Sequence, residues 1–383
     1  MSEHAPLPEE QPMTATDWSL AKNQTVSAAS EVSLEGDARI YESLRHFWHP
    51  VMYADDLGDG PAQATLCEVQ LAIVRLDGEV SAFNDLCPHR GTALSLGSVV
   101  DGESCQELRC AYHGWQYDDG GRCTTIPQRP DLVDNLRVRV QTFPTVERYG
   151  LIWVCLLQDP MFPMAEFPQY DDPRFQHHHM KMPDWNCTSP RRVENYVDLG
   201  HFAILHDGFL GQVNHPEIPR HDVWREDHIL RIKQLEPNRE PVNEKYATDI
   251  SGDEVVVDDD GEFTMTDQEW WLTMPLTVLL HQTLPGDRHY YLFFHATPLD
   301  PGTVRNFTIH ARNFGDPDKA QQELFSFSQT IYGQDKPIVE SQRPEALSRD
   351  LSHELHLQDV DTVALQYRLW LSELVASTEG TAN

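Results

Sequence analysis

The chain has 383 residues, of which 40% are hydrophobic and 23% are charged, a composition typical of globular proteins. Its formal net charge of −32 argues against nucleic acid and anionic membrane surfaces as partners, because both repel an acidic chain. There is no apolar run long enough for a transmembrane helix, no signal-peptide pattern, and an odd total of seven Cys, so we expect a cytoplasmic protein without a disulfide framework.

In chain order, the sequence first predicts an arm over residues 1–44, which ends in one short helix near 38–46. Short β-branched runs broken by turn signals then predict an all-β domain over residues 45–160. One of these signals is Asp77-Gly78, a pair typical of a tight β-hairpin. The Pro-rich stretch 160–185 is interpreted as a linker.

A second domain is predicted over residues 161–375, followed by a tail at 376–383. The stretch RVENYVDLGHFAILHDG predicts a helix, strands return between about 223 and 313, and the chain becomes helical after 316. The acidic segment 249–263 is predicted to be a loop. The pattern as a whole predicts the α+β class.

Two short motifs in the first domain carry four side chains that bind metals. CPHRG contains Cys87 and His89, and CAYHGW contains Cys110 and His113. Zinc uses the same residue types, but Cys-x-His is an awkward spacing for a tetrahedral site, and neither motif lies beside a predicted helix. Two Cys and two His are also the ligands of a Rieske [2Fe–2S] cluster, in which the thiolates bind one iron and the imidazoles the other.

These motifs resemble the two ligand loops of the Rieske family. Respiratory-chain members carry an additional Cys in each loop, whereas this sequence has Thr92 and Tyr112 at those positions. The sequence is therefore more similar to Rieske ferredoxins and Rieske oxygenases.

A second group of polar residues lies in the helix predicted for the C-terminal half: Asn195, Asp198, His201 and His206. Positions five apart on a regular helix diverge by about 140°, so the two His can share one ion only where the helix widens or kinks. Two His and one carboxylate form the facial triad of non-haem Fe(II) oxygenases. The segment resembles the Asn/Glu-x-x-Asp-x-x-His-x-x-x-x-His signature of Rieske oxygenase α subunits.

The carboxylate of such a triad has to come from another part of the chain. Asp335, in IYGQDKPIVESQRP, lies at the end of a predicted helix that Pro337 interrupts. Its context is similar to that of the third iron ligand in the family. Glu340, Asp359 and Asp361 remain alternatives.

The resemblance also implies a role for Asp198. In the family, this Asp bridges the two metal centres between neighbouring subunits of a trimer. His113 is the expected partner on the Rieske side and His201 on the iron side, and the sequence leaves both assignments open. A solvated surface acid is the alternative for Asp198, and Asn195 is expected beside the ligands.

Large apolar side chains in the same segments are candidates for the substrate pocket: Phe202, Leu205, Phe209, Trp271, Leu280 and Phe294. Trp270 and Trp271 are neighbours on a predicted strand and face opposite ways, so one belongs to the core and the other to the pocket. The run His177-His178-His179 is interpreted as part of the linker, because three consecutive His cannot all face one ion.

Four Arg surround the first two motifs in this acidic chain: Arg90, Arg109, Arg122 and Arg129. They form either a positive patch that docks an acidic ferredoxin or reductase domain, or internal ion pairs with neighbours such as Asp118 and Asp119.

The resemblance spans residues 45–370 and implies the catalytic α subunit of a Rieske non-haem iron oxygenase. It implies an all-β Rieske domain followed by a helix-grip domain, an antiparallel sheet over a long helix. Electrons from NAD(P)H would reach the [2Fe–2S] cluster through a ferredoxin or flavin reductase and pass to Fe(II), where O₂ is used to hydroxylate or demethylate an aromatic or similarly apolar substrate. A homotrimer is also implied.

Two other functions remain open at this stage. One is a Rieske electron carrier fused to a ligand-binding helix-grip domain without a second metal, and the other is a zinc-stabilised binding module. The sequence identifies neither the substrate nor the electron donor, and it leaves open whether a β subunit is present.

Overall fold

The computed structural model describes residues 34–241, 263–284, 286–357 and 359–379. Residues 1–33 of the predicted arm, the acidic segment up to residue 262 and residues 380–383 of the predicted tail lie outside this range.

The described residues contain α-helices with the following bounds: α1 (Leu34–Ser43), α2 (Val133–Leu136), α3 (Ser189–Val197), α4 (Phe202–Leu205), α5 (Pro317–Ser341) and α6 (Thr362–Glu379). Short 3-10 helices are found at Leu44–His46, Ala54–Asp56, Leu94–Leu96, Pro130–Leu132, Pro168–Asp171 and Leu351–His353. No helix in the described part of the chain has both the length and the apolar character needed to cross a membrane.

The strands of the first domain are β1 (His49–Tyr53), β2 (Ala62–Leu66), β3 (Val69–Leu76), β4 (Glu79–Asn84), β5 (Ser98–Asp101), β6 (Gln106–Arg109), β7 (Gln116–Tyr117), β8 (Cys123–Thr125), β9 (Thr142–Phe143), β10 (Thr145–Arg148) and β11 (Leu151–Val154). The strands of the second domain are β12 (Gln176–Lys181), β13 (His221–Glu226), β14 (Ile229–Gln234), β15 (Asn238–Pro241), β16 (Phe263–Thr273), β17 (Thr277–Leu284), β18 (Arg288–Asp300) and β19 (Thr303–Arg312).

Three small antiparallel sheets build the first domain, in the orders β1-β11-β10, β2-β3-β4-β9 and β5-β6-β7-β8. Asp77 and Gly78 connect β3 to β4 with φ values of 50° and 91°. Two positive φ values in succession are what a type I′ turn requires, and Asp-Gly adopts them readily. The third sheet carries the second metal-binding motif, between β6 and β7.

One large antiparallel sheet organises the second domain, in the order β12-β19-β18-β17-β16-β14-β13, with β15 paired to β16. Successive side chains on a strand point to opposite faces. On β18, Tyr290 and Phe294 face the core shared with the helices, whereas Tyr291 and Phe293 face an aromatic core that includes Trp153 of the first domain. The sheet is thus covered on both faces, and the fold class predicted from the sequence is confirmed.

Two local predictions are wrong. The helix α5 is not interrupted at Pro337 but continues to Ser341. A proline inside a helix costs about 3 kcal/mol, and buried Tyr332 and Val339 pack α5 into the core on either side of it. The second error concerns the predicted linker, because residues 176–181 form the edge strand β12, paired with β19.

A buried pair of histidines joins the two domains. His49 on β1 places Nδ1 3.1 Å from Nε2 of His295 on β18, while its own Nε2 lies 2.8 Å from the carbonyl oxygen of Leu44. The hydroxyl of Thr277 lies 2.7 Å from Nδ1 of His295. Burial lowers the pKa of His49 to about 4 and holds the pKa of His295 well below its usual value. Both rings are therefore neutral at pH 7.

This pair predicts a loss of stability in acid. A His whose pKa falls from 6.5 in the unfolded chain to about 4 in the fold contributes fully above pH 6.5, and its contribution is lost as the pH falls towards 4. The expected loss from His49 is about 3 kcal/mol. We expect the urea midpoint of His49→Gln to fall less steeply than that of the wild type between pH 7 and pH 4.5. His221→Gln, which removes a half-buried His at the sheet edge, should keep the wild-type slope; equal slopes for all three proteins would contradict this account.

Candidate metal centres and substrate cavity

The two loops of the first domain share one backbone arrangement. The N–H of Cys87 donates to the carbonyl of Thr92, and the N–H of Cys110 donates to the carbonyl of Trp115. In each loop a glycine N–H turns back to the carbonyl of the cysteine, from Gly91 at 2.8 Å and from Gly114 at 3.1 Å. Both glycines have positive φ, 69° and 73°, which only glycine adopts without strain. Each loop therefore curls around the space in front of its cysteine.

The side chains of these loops form two pairs rather than one tetrahedron. Cys87 and Cys110 are buried, and the rings of His89 and His113 lie together with their centroids 4.4 Å apart. Ligand atoms around one zinc ion all lie within about 4 Å of one another. Within the described residues, the only three candidate ligand atoms that lie within 4.8 Å of one another belong to other residues. The four side chains thus fit two irons better than one zinc ion.

Hydrogen bonding around these side chains fits the same group. Nδ1 of His89 is buried and has no hydrogen-bond partner among the described residues, as expected for a nitrogen that binds a metal. Trp115 stacks on His89 at 4.5 Å with an interplanar angle of 5°, which fixes the ring. The hydroxyl of Tyr117 lies 3.1 Å from Sγ of Cys87, and burial raises the pKa of Tyr117, so it remains a donor to a thiolate. Hydrogen bonds to the sulfurs are one means of tuning a cluster's potential.

The second site forms where the predicted helix is broken. The helix α3 ends at Val197, Asp198 adopts an extended conformation, and α4 begins only at Phe202. The sequence predicted one helix with a local irregularity between the two His. Instead His201 and His206 flank the single turn of α4, one before it and one after it. His206 leaves the helical path, with φ −107° and ψ 36°, and the centroids of the two rings lie 5.1 Å apart.

Asp335 completes this site from the middle of α5. Its Oδ1 lies 3.1 Å from Nε2 of His206 and 3.5 Å from Nε2 of His201. These three ligand atoms lie within 4.8 Å of one another, and in the described part of the chain no other such group of three is found. Two imidazoles and one carboxylate on one side of an ion leave its other side open. The structure therefore brings together the three residues that the sequence analysis selected for the second metal.

The outer nitrogens of both His are held by hydrogen bonds. Nδ1 of His201 lies 3.1 Å from Oδ2 of Asp198, and Nδ1 of His206 lies 2.8 Å from Oε1 of Gln334. Each acceptor places the proton on Nδ1 and leaves the lone pair of Nε2 directed towards Asp335, as outer partners of metal-bound His do. This role of Gln334 was not predicted from the sequence, although Gln334 directly precedes Asp335 in the same motif.

A second chain of contacts holds the carboxylate. Nη1 of Arg192 donates to Oδ1 of Asn195 at 2.7 Å, and Nδ2 of Asn195 lies 3.4 Å from Oδ1 of Asp335. Arg192 is buried, and its guanidinium lies over the rings of Trp185, Phe294 and Tyr332. Burial would raise the pKa of Asp335, but the contact with His206 and the charge of Arg192 outweigh this effect and lower it. Asp335 is therefore ionised, as a metal ligand must be.

A cavity opens beside this site, between α3, α5 and the inner face of the sheet. Its apolar wall is formed by Tyr196, Phe202, Leu210, Trp270, Leu280, Leu292, Phe327, Ile331 and Tyr332. Its polar wall is formed by Gln268, Gln282, Thr308, His310 and Ser328. The residues that line the cavity come from several segments between positions 192 and 335 of the chain.

The candidate pocket residues are only partly placed as the sequence analysis expected. Phe202 and Leu280 line the cavity, but Leu205 and Phe209 do not. Trp271 lies on the far face of β16 against Arg231, and its neighbour Trp270 lines the cavity instead. Neighbouring side chains on a strand point to opposite faces, so only one of the two Trp can line the cavity. Trp270 does so because it lies on the face that the helices cover.

Phe294 is the remaining candidate and lies one layer behind the cavity. Its ring is fully buried and stacks on Tyr196 at 4.6 Å with an interplanar angle of 4°. It therefore supports a wall residue without reaching the cavity itself.

The three consecutive His of β12 make separate contacts. Nε2 of His177 lies 3.1 Å from the carbonyl of Gln169, and Nε2 of His179 lies 3.1 Å from the carbonyl of Tyr149. Nδ1 of His178 lies 3.1 Å from Gln321. The three rings bind different partners, so they do not converge on one point.

The Arg residues near the first site differ from one another. Arg122 pairs with Asp118 at 3.6 Å, and Arg129 pairs with Asp131 at 2.6 Å, both on the surface. Arg90 and Arg109 are exposed. Two of the four therefore form local ion pairs, and two face solvent.

Comparisons with known proteins find a matching family for each of the two domains. Residues 47–144 match the Rieske [2Fe-2S] domain, and residues 185–377 match the vanillate O-demethylase oxygenase C-terminal domain. Methylxanthine N1-demethylase NdmA and methylxanthine N3-demethylase NdmB, both of Pseudomonas putida, are each 32% identical to this chain. The alignments cover 90% and 88% of this chain and 92% and 91% of the relatives. The solved structure of NdmA with caffeine has a TM-score of 0.75 at 31% identity and covers 89% of this chain and 94% of its own.

A further match covers a shorter part of the chain. Over 121 residues, 31% of this chain and 20% of the relative, the chain is 41% identical to the oxidoreductase NdmD of Pseudomonas putida.

A Rieske domain joined to a sheet-and-helix domain with a two-His, one-carboxylate site defines an iron-dependent oxidoreductase with two redox centres. The chain belongs to the Rieske non-haem iron oxygenases and is the oxygenase component of a multicomponent system. Its cofactors are a Rieske [2Fe–2S] cluster and a mononuclear iron, and its electrons come from a reductase. The family predicted from the sequence is confirmed.

Replacement of Asp335 by Ala tests the mononuclear site. The two His alone hold iron weakly, so the iron content should fall from three to two per chain and turnover should be lost, while the visible spectrum of the cluster is kept. Glu340→Gln is the control, because Glu340 lies on the same helix but pairs with Lys336 rather than with the site, and it should keep all three irons. Iron analysis that finds three irons in Asp335→Ala would move the third ligand to another carboxylate.

Proposed function

We propose that this chain removes a methyl group from a ring nitrogen of a planar heteroaromatic substrate that carries carbonyl groups. The observation that carries the proposal is that the lining of the cavity combines aromatic side chains with amide and hydroxyl groups. A purely hydrocarbon substrate would bury these polar groups against carbon without adding a hydrogen bond, whereas a ring with carbonyl groups can accept hydrogen bonds from them. Two relatives that align over 90% and 88% of this chain are named as N-demethylases of methylxanthines, which supports the same substrate class.

Two amides are central to the polar wall. Gln268 on β16 and Gln282 on β17 lie directly opposite each other in the strand register, and both line the cavity. Each amide offers a donor and an acceptor, and Nε2 of Gln268 is oriented by a bond of 3.2 Å to the hydroxyl of Thr266. A ring that alternates carbonyl oxygens with N–H groups would match this pair.

Neighbouring hydroxyl groups and one neutral imidazole complete the polar wall. His310 lies between the hydroxyl of Tyr290 at 2.6 Å and that of Ser328 at 2.9 Å. Burial lowers the pKa of His310 to about 3, so its ring is neutral and places no charge in the cavity. The hydroxyls of Thr308 and Tyr332 share a bond of 2.6 Å. An uncharged, hydrogen-bonded wall favours a neutral polar ring over a carboxylate.

The aromatic wall would hold the ring flat and direct its methyl group. Tyr196 is held rigid by its stack on Phe294, and Phe202 follows His201 directly, its ring 4.9 Å away in an edge-on arrangement. A ring bound by the amides at the sheet would present its opposite edge to His201 and His206. Apolar side chains such as Leu280 and Leu292 exclude water from this space.

The iron, when bound, supplies the activation of O₂, with electrons relayed from the cluster. The overall reaction converts the N-methyl compound, O₂, NADH and a proton to the N–H compound, formaldehyde, water and NAD⁺. The protein contributes position: it holds the substrate methyl group beside the open side of the triad, and it keeps the ligand His in one tautomer.

We further propose that the active form is a homotrimer in which the two centres that cooperate belong to different copies. Exposed apolar residues lie in or just after the first Rieske loop and beside His113: Leu86, Leu96 and Tyr112. A second exposed apolar group comprises Ile204 of α4 and residues of the segments that follow α4 and precede α6: Val213, Leu355, Leu357 and Val360. Two different apolar surfaces on one chain favour a head-to-tail contact, which closes into a ring.

Asp198 lies near one member of the second group, since Gly200 is adjacent both to its Oδ1 and to the side chain of Val360. Its side chain is 39% exposed, although its Oδ2 holds His201 and its Oδ1 accepts the N–H of Gly200 at 2.9 Å. In the proposed contact this exposed carboxylate meets the partner subunit's His113. A direct hydrogen-bonded path would then join the two centres.

The demethylase proposal predicts formaldehyde release. With a matching reductase, NADH and O₂, an N-methylated purine-dione or uracil should yield one formaldehyde per NADH consumed, and the same ring without the methyl group should yield none. Gln282→Leu should lower kcat/KM by about 10- to 100-fold, because one carbonyl of the ring loses its hydrogen bond. Coupled turnover only with methoxy-arenes or unsubstituted arenes would contradict the proposal.

The trimer proposal predicts a particle of three times the 43.9 kDa chain mass in light scattering. Tyr112→Asp should yield smaller particles that keep both metal centres but no longer transfer electrons from the reduced cluster in single turnover. Trp224→Asp, an exposed aromatic on the edge strand β13, is the matched control and should remain trimeric. A monomeric wild type with normal single turnover would rule out transfer between copies.

A further inference from the structure

A second group of ionisable side chains lies on the far face of the sheet, at the end of the hairpin formed by β17 and β18. On β17 the side chain of Gln282 points into the cavity, so those of His281 and Thr283 point away from it. His281 lies beside His289 of β18, and the two are flanked by Glu269 and Asp287. None of these four residues takes part in the two iron sites or lines the cavity.

The four side chains form one line of contacts. Oε1 of Glu269 lies 3.1 Å from Nδ1 of His281, whose Nε2 lies 3.0 Å from Nδ1 of His289. Nε2 of His289 in turn lies 3.1 Å from Oδ1 of Asp287. The ring of His281 is fixed by a parallel stack on Tyr291, at 4.2 Å and 4°. Each of the two His thus lies between a carboxylate on one side and the other His on the other side.

The carboxylates decide where the imidazole protons are. An ionised carboxylate only accepts, so His281 must donate from Nδ1 to Glu269 and His289 must donate from Nε2 to Asp287. Contact with His281 lowers the pKa of Glu269, which keeps it ionised. In two neutral rings, the remaining nitrogens then direct lone pairs at each other across 3.0 Å. Such an arrangement is repulsive unless a proton or a metal ion bridges the two atoms.

We propose that His281 and His289 bind a divalent transition-metal ion, with Glu269 and Asp287 as the outer partners that orient the two rings. Imidazole nitrogens are good ligands for Ni²⁺, Cu²⁺ and Zn²⁺, and a carboxylate on the far nitrogen is their usual support. The two carboxylates also balance the charge of a divalent ion. Thr283, whose hydroxyl lies 3.4 Å from Nε2 of His281, and solvent complete the coordination.

The distance between the two nitrogens selects among these ions. At bond lengths of about 2.0–2.1 Å, nitrogens 3.0 Å apart subtend about 90° at the metal, which is the angle between neighbouring ligands in tetragonal sites. That geometry suits Ni²⁺ and Cu²⁺ better than tetrahedral Zn²⁺. The rings are partly accessible, since the side chains of His281 and His289 are 16% and 25% exposed, so an ion can enter from solvent.

The bound ion would clamp the end of a hairpin whose other face forms part of the cavity. His281 and Gln282 are adjacent on β17, and Leu280 and Leu292 line the cavity from the same two strands. Metal at the outer face therefore stiffens the wall that holds the substrate. This role concerns the sheet itself and does not depend on which substrate is bound.

Titration of the iron-loaded protein with Ni²⁺ tests the proposal. Calorimetry should find one Ni²⁺ per chain while the iron content stays constant, and Ni²⁺ should raise the thermal unfolding midpoint. His281→Gln and His289→Gln should each weaken Ni²⁺ binding at least tenfold and abolish the shift in the midpoint. Glu269→Gln, which leaves both ligands in place, should weaken binding about tenfold, as the loss of an outer carboxylate does.

His221→Gln serves as the control, since it removes a His of the same sheet whose Nδ1 lies 3.0 Å from the carbonyl oxygen of Pro219. It should bind Ni²⁺ as the wild type does. Two results would overturn the proposal. If His281→Gln and His289→Gln bind Ni²⁺ with wild-type affinity, the ion lies elsewhere. If the wild type takes up no Ni²⁺ beyond its iron, the two rings share a proton instead, whatever the substrate of the enzyme proves to be.

Discussion

The second domain depends on one requirement: two imidazoles and a carboxylate from distant parts of the chain must meet at a point. His201 and His206 belong to a broken helix, and Asp335 belongs to a helix more than a hundred residues later. The meeting is possible because α3 and α5 pack on the same face of one antiparallel sheet. One face of the sheet thus supports both helices and thereby aligns the ligands. The opposite face packs into the aromatic core shared with the first domain.

A site of this kind places charge where water is excluded, and the surrounding structure compensates for that cost. Asp335 is balanced by Arg192 through Asn195, and Arg192 is itself held by aromatic rings. Behind α3, Arg368 of α6 donates two hydrogen bonds to Glu194. Both Arg368 and Arg191 also donate to Glu354. Removal of one partner from such a buried pair costs about 3–5 kcal/mol. These contacts fix α3 on the side away from the cavity, so the ligands at its end keep their positions.

The strands β16 and β17 show how one sheet serves two purposes. Alternate residues such as Trp270 and Gln282 form the wall of the cavity, and the residues between them form the far face, where Glu269 and His281 meet. The period of two along a strand separates these functions by a single residue. A change on the outer face can therefore alter the rigidity of the inner wall without contacting the substrate.

The sequence by itself determined the features that rest on local spacing. The two Rieske loops could be recognised because Cys87 and His89, like Cys110 and His113, are brought together by the turn between them, and the Gly residues required by those turns are in the sequence. Tertiary structure alone decided the features that depend on contacts between distant segments. Those include the choice of Trp270 over Trp271, the continuation of α5 past Pro337 and the pairing of β12 with β19. In each case the local preference is worth only a few kcal/mol, and burial against residues far along the chain outweighs it.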